Sequence, residues 1–166
     1  MINEKVLLTG GNGFLGKYLA KVLSMRGAEV TINSRGAGEK LNGKENYSFL
    51  IKDIMEITAE ELLRYSIIFH LAALTPQKSP NEEEIYTKNV EMVQHLLEML
   101  ARNRQKVKFV FASSAGVYGF APEKVFREED VLNPQNAYAR AKAEGEELIR
   151  KYAQKFPFLS DYLILR

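Results

Sequence analysis

Short runs of aliphatic and aromatic residues alternate along the chain with longer segments in which apolar residues recur every three or four positions. Such runs are typical of strands buried on both faces, and the longer segments are typical of amphipathic helices. The runs predict strands at residues 5–9, 29–34, 47–54, 66–74, 106–114 and 161–166. The segments between them predict helices at residues 14–26, 58–65, 79–103 and 136–156.

Strands that alternate with helices predict an α/β fold, in the form of a doubly wound parallel sheet with helices on both faces. Two helix starts also carry capping residues. Thr58 with Glu61 fits a capping box, and Ser79 is predicted to cap the long helix. No repeat, low-complexity tract or linker interrupts the pattern, so we expect residues 1–166 to form one domain.

Composition narrows the classes of function. Of the 166 residues, 46% are hydrophobic and 27% are charged, as expected for a soluble globular protein. The net charge of only +2 argues against nucleic acid as the main partner, and the absence of cysteine excludes disulfides and thiolate sites. No apolar run is long enough to cross a membrane, and the first residues do not resemble a signal peptide. We therefore expect no membrane partner and a cytoplasmic location.

Four glycines lie where the first predicted strand gives way to a helix, in the segment LLTGGNGFLG at residues 7–16. Gly11, Gly13 and Gly16 fit the spacing G-x-G-x-x-G, and Gly10, Gly13 and Gly16 fit G-x-x-G-x-x-G. Glycine at this junction allows a tight turn and a close approach of phosphate groups to the amides at the helix start. The segment predicts a dinucleotide-binding turn, and the alternative is a glycine-rich turn without a ligand.

A second group of candidate residues lies far along the chain. Ser113 and Ser114 end a buried strand, and Tyr138 and Lys142 lie four residues apart on one face of a predicted helix. A tyrosine can act as a general base on a hydroxyl group if a neighbouring lysine lowers its pKa from the ordinary value near 10. A serine at the carboxyl end of a parallel strand also faces the crevice where ligands bind. The alternative is that Tyr138 and Lys142 form an ordinary pair on the helix surface.

Together these features resemble the extended short-chain dehydrogenase/reductase family, which contains NAD(P)-dependent epimerases and dehydratases of nucleotide sugars. The resemblance extends over the whole chain and implies a Rossmann fold. It rests on the segments TGGNGFLG, HLAA, SSAGVYG and YARAK and on the pairs Asp53-Ile54 and Asn89-Val90.

The resemblance implies a role for each matching residue. Ser114, Tyr138 and Lys142 would form the catalytic group, and Lys142 would also hold the nicotinamide ribose. Asn89 would brace the backbone near the active site. The residues expected to contact the cofactor are Gly10, Gly13, Phe14, Leu15, Gly16, Ser34, Arg35, Asp53, Ile54, Leu71, Ala72, Ala73, Asn89, Tyr138 and Lys142.

The end of the second predicted strand departs from the pattern of NAD-dependent relatives. Ser34 and Arg35 stand where many of them carry a carboxylate that binds the ribose hydroxyl groups. An arginine can bind a 2′-phosphate through its planar donors, which favours NADP over NAD as the cofactor. The alternative is that Arg35 is solvated beside the glycine-rich loop at residues 36–46.

Metal binding is not predicted. His70 ends a buried strand, His95 lies within a helix, and neither has a second ligand at metal spacing. The three glutamates at residues 82–84 are interpreted as favourable charge in the first turn of the long helix.

The resemblance implies an enzyme that uses hydride transfer to epimerise, dehydrate or reduce a nucleotide sugar. Two alternatives are a non-catalytic NADP(H)-binding sensor or scaffold module, and an NADP-dependent reductase of small carbonyl compounds. Relatives continue past the strand at residues 161–166. We therefore expect this chain to be the cofactor-binding part, to lack the C-terminal substrate-binding part, and to show little activity in isolation. The resemblance also implies a homodimer formed through the helices at residues 79–103 and 136–156.

Overall fold

The computed structural model describes residues 4–36, 47–104, 106–121 and 123–166. Within these ranges a sheet of six parallel strands forms the centre of the protein, in the order β3-β2-β1-β4-β5-β6. The strands are β1 (Lys5–Thr9), β2 (Glu29–Ser34), β3 (Tyr47–Ile51), β4 (Ile67–His70), β5 (Lys108–Ala112) and β6 (Tyr162–Leu165).

Helices and short turns connect these strands. The α-helices of the described ranges are α1 (Phe14–Met25), α2 (Ala59–Leu62), α3 (Glu82–Asn103) and α4 (Ala137–Lys155). Turns of 3₁₀ helix lie at Ile54–Glu56, Ala115–Tyr118 and Pro157–Leu159. Apart from Gly36, the glycine-rich loop expected at residues 36–46 lies outside the described residues. Among the helices of the described ranges, none is both long and apolar enough to cross a lipid bilayer.

The strand order reverses at β1, which confirms the doubly wound sheet. From β1 the chain moves outward through β2 to β3 and then returns to place β4 on the other side of β1. Thr9, the last residue of β1, pairs with Asn33 on one side and with His70 on the other. The carboxyl ends of β1 and β4 therefore flank the crevice in which doubly wound sheets bind their ligands.

Alternate residues of the central strand face two separate cores. Leu7 packs with residues of α2, α3 and α4 in the larger core, whereas Val6 and Leu8 pack with residues of α1 in the smaller core. All three side chains are fully buried. Helices cover both faces of the sheet, which explains why its strands read as continuous apolar runs.

The start of α3 differs from the prediction. Asn81 is the N-cap residue, and its side-chain oxygen accepts a hydrogen bond from the Glu84 amide at 3.1 Å. The Ser79 hydroxyl donates to the Glu84 carboxylate at 2.6 Å and accepts from the Asn81 amide at 3.2 Å. The predicted cap at Ser79 is wrong because both residues are good caps and the Ser79 hydroxyl is used in the turn before the helix.

Side-chain caps also set the limits of the elements that follow β3. The strand ends at Ile51, before the predicted end, because the Asp53 carboxylate accepts a bond from the Met55 amide at 3.0 Å and starts a 3₁₀ turn. The capping box predicted at the start of α2 is confirmed. The Thr58 hydroxyl accepts from the Glu61 amide, and the Glu61 carboxylate accepts from the Thr58 amide.

Candidate cofactor and catalytic site

The turn after β1 contains glycines because other parts of the chain pass too close for a side chain. Gly10 has a φ of +70°, and a Cβ there would lie 2.7 Å from the backbone of Ala72. A Cβ on Gly16 would lie 2.5 Å from the Cα of Gly11, and a Cβ on Gly11 would lie 2.6 Å from the Ile32 side chain. The fold itself therefore accounts for three of the four glycines.

Gly13 is different, because its backbone would accept a side chain. Its φ of −72° is open to any residue, and a Cβ would approach only the Gly10 carbonyl, at 3.1 Å. Gly13 is the N-cap residue of α1 but supplies no side-chain cap, and the first turn has no acidic residue. Phe14 and Leu15 are 86% and 55% exposed. The amides at the start of α1 are therefore accessible to an external anion such as a pyrophosphate.

The segment Leu71–Ala73 forms the opposite wall of the crevice, directly after β4. The Leu71 amide donates to the Thr9 carbonyl at 3.1 Å, and the Ala72 amide donates to the Thr9 hydroxyl at 3.4 Å. All three residues of the segment are partly exposed. The structure thus brings Leu71–Ala73 against the glycine turn.

His70 is a core residue beneath this wall. Its Nδ1 lies 2.7 Å from the Thr9 hydroxyl, and its ring stacks on Phe111 with 5.7 Å between the ring centres. Burial and, to a smaller extent, the positive charge of Lys142 lower the pKa of His70 to about 3. The buried imidazole is therefore neutral near neutral pH. Among the described residues, no group of three or more His, Asp or Glu side chains could hold a metal ion.

Asn89 holds the backbone that follows this wall. The residue is 3% exposed, and its side-chain amide forms two hydrogen bonds of 2.8 Å with Leu74, one with the backbone amide and one with the carbonyl. A third bond of 2.8 Å joins it to the Ile85 carbonyl within α3. The polar amide expected on the buried face of this helix is thus paired, and it fixes the chain one residue beyond Ala73.

The residues expected beside the adenosine half of the cofactor lie at the ends of β2 and β3. The Ser34 hydroxyl donates to the Gly36 carbonyl, and Arg35 is exposed. Asp53 is half-buried and caps the turn after β3. The Ile54 side chain is 5% exposed and belongs to the larger core, so this side chain does not line the crevice.

Ser114 lies just beyond the carboxyl end of β5, and Tyr138 and Lys142 lie in the first turns of α4. The Ser114 hydroxyl oxygen accepts a bond from the Gly116 amide at 3.1 Å, at the start of a 3₁₀ turn. A Cβ on Gly116 would lie 3.3 Å from Ser114 Oγ and 3.6 Å from the Cβ of Ala139, so this turn packs against the start of α4. One helical turn along α4, Lys142 Nζ lies 5.7 Å from the centre of the Tyr138 ring.

Burial shifts the pKa values of both α4 residues. The Lys142 ammonium donates to the Ala112 carbonyl at 2.7 Å and lies 4.6 Å from the centre of the Phe111 ring, and burial lowers its pKa to about 8. Burial also raises the pKa of Tyr138, so the lowering expected from Lys142 is not found. The reason is that the phenol is desolvated while the ammonium is directed to a carbonyl. A lowered tyrosine pKa therefore requires a further positive charge beside the phenol.

Sequence reasoning missed a charged cluster behind the catalytic candidates. Glu146, one helical turn beyond Lys142, is fully buried and accepts hydrogen bonds from Ser113 and Arg166. Burial alone would raise the pKa of Glu146, but the bonds from Arg166 and Ser113 outweigh burial and leave it below the ordinary value. The available signal was the spacing, because residues four apart share a face of a helix.

A cavity of about 130 Å³ adjoins Tyr138, with Ser79 and Ile85 on the α3 side and Asn136 on the α4 side. A larger cavity, of about 530 Å³, lies at the amino ends of β1 and β2 and along β3. Because doubly wound sheets bind ligands beyond the carboxyl ends of their strands, the smaller cavity is the one that belongs to the candidate site.

The model of the NAD dependent epimerase/dehydratase family matches residues 6–166, which is nearly the whole chain. The chain belongs to this family. The match includes the glycine turn, the Leu71–Ala73 wall and the residues gathered at the end of β5.

Two curated relatives illustrate the range of this epimerase/dehydratase family. The D-erythronate dehydrogenase of Haemophilus influenzae is 28% identical over 162 residues, which cover 91% of this chain and 50% of that protein. The dTDP-D-glucose 4,6-dehydratase of Dictyostelium discoideum is 27% identical in an alignment of length 179, and the match covers 92% of this chain and 41% of that protein. The chain therefore spans about half the length of the curated relatives it matches.

Solved epimerases of the family have the same Rossmann-like fold. The UDP-N-acetylglucosamine 4-epimerase of Methanobrevibacter ruminantium, in complex with UDP-N-acetylmuramic acid, is 30% identical with a TM-score of 0.86. That match covers 100% of this chain and 55% of the epimerase. The UDP-glucuronic acid 4-epimerase of Bacillus cereus, in complex with UDP-glucuronic acid and NAD, is 25% identical with a TM-score of 0.84, and the match covers 98% and 55% of the two chains.

Proposed function

We propose that this chain is the nicotinamide-dinucleotide-binding part of an oxidoreductase-type enzyme that epimerises or dehydrates a nucleotide sugar. The observation that carries the proposal is that the turn begun by Ser114 packs against the start of α4, which bears Tyr138 and Lys142, at the carboxyl edge of the sheet where the start of α1 lacks a side-chain cap. Membership of the family supports a nicotinamide cofactor. Relatives named for dTDP- and UDP-sugars support the substrate class.

The residues at the crevice fit such a cofactor. The uncapped start of α1 offers amide donors to the pyrophosphate, and the partly exposed segment Leu71–Ala73 offers a wall. Lys142 uses one of its three ammonium hydrogens on Ala112, so others can reach the nicotinamide ribose. When bound, the oxidised nicotinamide supplies a hydride acceptor and a positive charge.

The hydrogen bonds of Ser114 and Lys142 are compatible with the catalytic roles that we propose. Tyr138 takes the proton of the substrate hydroxyl, which requires a positive charge nearby because burial raises its pKa. Lys142, with a pKa of about 8, is mostly an ammonium at neutral pH and provides part of that charge. The oxygen of Ser114 accepts from the Gly116 amide, which leaves its hydroxyl hydrogen to be donated to the substrate oxygen.

The test combines binding and turnover. Calorimetric titration of the 166-residue chain with NAD, NADH, NADP and NADPH should detect binding, and no binding to any of the four would contradict the proposal. In a preparation that turns over a substrate, Tyr138→Phe should lower kcat by about 10²–10⁴ with little change in cofactor affinity, because the ring stays but no proton can be moved. Tyr152→Phe on the same helix is the matched control, and an equal loss in both would exclude Tyr138 as the acid/base.

A second candidate is a dehydrogenase of a small polyhydroxylated acid, which the 28% identity to D-erythronate dehydrogenase favours. Both candidates begin by removing hydride and a proton from an alcohol, so both need the same three residues. They differ in the substrate group to be held, which is a diphosphate in one case and a carboxylate in the other. Assays with UDP-, GDP- and dTDP-sugars beside D-erythronate separate them.

We also propose that the chain by itself turns over nucleotide sugars slowly. Its relatives are about twice as long, and holding the reacting carbon in place supplies about 7–11 kcal/mol of the barrier reduction. Turnover by the isolated chain at the ordinary enzyme rate of about 10 s⁻¹ would contradict this view.

A further inference from the structure

Glu146 is a buried carboxylate on which three parts of the chain meet. Ser113 Oγ donates to its Oε1 at 2.5 Å, and Arg150 donates to its Oε2 at 3.0 Å. Arg166 donates to both oxygens, at distances of 2.6 to 3.1 Å. A carboxylate with no exposed surface is stable only when donors surround it in this way.

Two consecutive residues at the end of β5 form hydrogen bonds with side chains of α4. The Ala112 carbonyl accepts a bond from Lys142, and the hydroxyl of the next residue, Ser113, donates to Glu146. Lys142 and Glu146 are one helical turn apart, so two successive turns of α4 hold two successive residues of the strand. Ser114 is the residue that follows, and its backbone position depends on both bonds.

The other end of the Ser114 turn is fastened to the same carboxylate. Arg166 Nη1 donates to the Tyr118 hydroxyl at 2.7 Å while its remaining nitrogens hold Glu146. Tyr118 is the last residue of the 3₁₀ turn that Ser114 begins. Glu146 therefore holds the start of the turn through Ser113 and its end through Arg166.

We propose that Glu146 is a positioning residue that fixes the Ser114 turn against α4, and so keeps the Ser114 hydroxyl at a constant distance from Tyr138. The inference rests on the proposed function, in which both residues bind one substrate oxygen and small displacements reduce the rate. A carboxamide is a poor replacement for the carboxylate, because in either orientation its NH₂ group would face an N–H donor of Arg166 and the negative charge would be lost.

Amide hydrogen exchange measured by NMR tests this role. In Glu146→Gln, the amides of Val117 and Gly119, which bond within the Ser114 turn, should exchange about tenfold faster than in the wild type. The exchange rates of amides in the central strand β1 should rise by a smaller factor. A general loss of stability would instead raise the exchange rates in β1 and in the Ser114 turn equally. Glu147→Gln, the same change at an exposed neighbour, should leave both groups unchanged.

Ser113→Ala is a second variant, which removes one bond and leaves the Arg166–Glu146 pair in place. It should also accelerate exchange in the Ser114 turn. In a preparation with turnover, both variants should lower kcat with an unchanged dissociation constant for the dinucleotide. If, in both variants, exchange in the turn is accelerated over the wild type by no larger a factor than exchange in β1, the positioning role is overturned. If the wild type binds no dinucleotide but both variants still show faster exchange in the Ser114 turn, the proposed function is overturned and the role of Glu146 in holding the turn is not.

Discussion

The glycines after β1 have different structural roles. Gly10 and Gly16 are required by the fold, since a Cβ at either residue would lie 2.7 Å or less from backbone atoms. At Gly13 a Cβ would lie 3.1 Å from the Gly10 carbonyl, a tight contact that needs a shift of only a few tenths of an ångström, and the φ of −72° is open to any residue. A methyl group at Gly13 therefore tests ligand binding without removing the fold.

Gly13→Ala should weaken dinucleotide binding by about tenfold or more, because the methyl group would occupy the space through which phosphates approach the amides. Loss of the glycine N-cap should cost about 1 kcal/mol and lower the melting temperature by about 2–4 °C. Calorimetry and thermal unfolding measure the two effects. Gly10→Ala is the contrasting variant and should unfold at a much lower temperature. Equal affinity in the wild type and Gly13→Ala would exclude this turn as the pyrophosphate site.

Arg35 is the exposed cation at the end of β2. If it binds a 2′-phosphate, the wild type should prefer NADP to NAD by about tenfold to a hundredfold, since a charged hydrogen bond contributes about 1.5–3 kcal/mol. Arg35→Ala should remove most of the preference, whereas Arg64→Ala, an exposed arginine near the amino ends of the strands, should keep it. Calorimetric titration with both dinucleotides measures the ratio. A wild type that binds NAD as tightly as NADP, or more tightly, would contradict the prediction.

His70 should make the protein sensitive to mild acid. Its pKa is about 3 in the folded protein and about 6.5 when unfolded, so below pH 6.5 the unfolded chain binds a proton that the folded protein does not. Stability should therefore fall by about 2 kcal/mol between pH 7.5 and 5, before carboxylates titrate. Lys142 is the cation that opposes protonation. Urea unfolding should show this slope in the wild type and in His95→Gln, and its persistence in His70→Gln would contradict the assignment.

The sequence predicts helices and strands correctly where the spacing of apolar residues is regular. It predicts a helix start poorly where two neighbouring residues could each be the N-cap. The buried runs predicted every strand of the described sheet, and the periodic segments predicted α1, α3 and α4. The start of α3 was misplaced because Ser79 and Asn81 are both good caps. The site residues came from motifs, whereas the Glu146 cluster was missed. The four-residue spacing places Glu146 on the same face of α4 as Lys142, but its partners Ser113 and Arg166 follow β5 and β6, and only the sheet order brings them to it.

The Asn89 side chain joins α3 to the segment beyond β4. Its removal should lower the free energy of unfolding. Asn89→Leu keeps a similar volume but leaves the Leu74 amide and carbonyl without partners, so it should destabilise the protein by about 2–4 kcal/mol. Gln94→Leu, at an exposed site on the same helix, should change stability by less than about 0.5 kcal/mol. Urea unfolding of the two variants measures the difference. Equal stability of the two variants would show that the buried amide has no bracing role.

The molecule as a whole leaves apolar surface uncovered. On β6, Leu163 and Leu165 are each 46% exposed, whereas Tyr162 and Ile164 pack against the larger core. On α1, Phe14, Tyr18 and Met25 are 86%, 63% and 74% exposed. Surfaces of this kind commonly mediate association.

We expect the chain to form a dimer or larger assembly in solution. Sedimentation velocity at several concentrations should show species heavier than the 18.9 kDa monomer. Lysine at both Leu163 and Leu165 should shift the distribution toward the monomer if the face of β6 contributes, because charged side chains resist burial. A wild type that sediments as a monomer at every concentration would contradict the prediction.

The central place of β1 also governs how the protein can assemble during synthesis. β1 is translated before the other strands of the described sheet, and its neighbour β4 follows only at Ile67–His70, several seconds later at about 5–20 residues per second. Until then, the nascent chain can form only the β1–β2–β3 half of the sheet, and Gly10 has no Ala72 to pack against. The candidate crevice is thus completed only when residues 67–73 have been translated, and until then the edge of β1 that pairs with β4 has no partner strand.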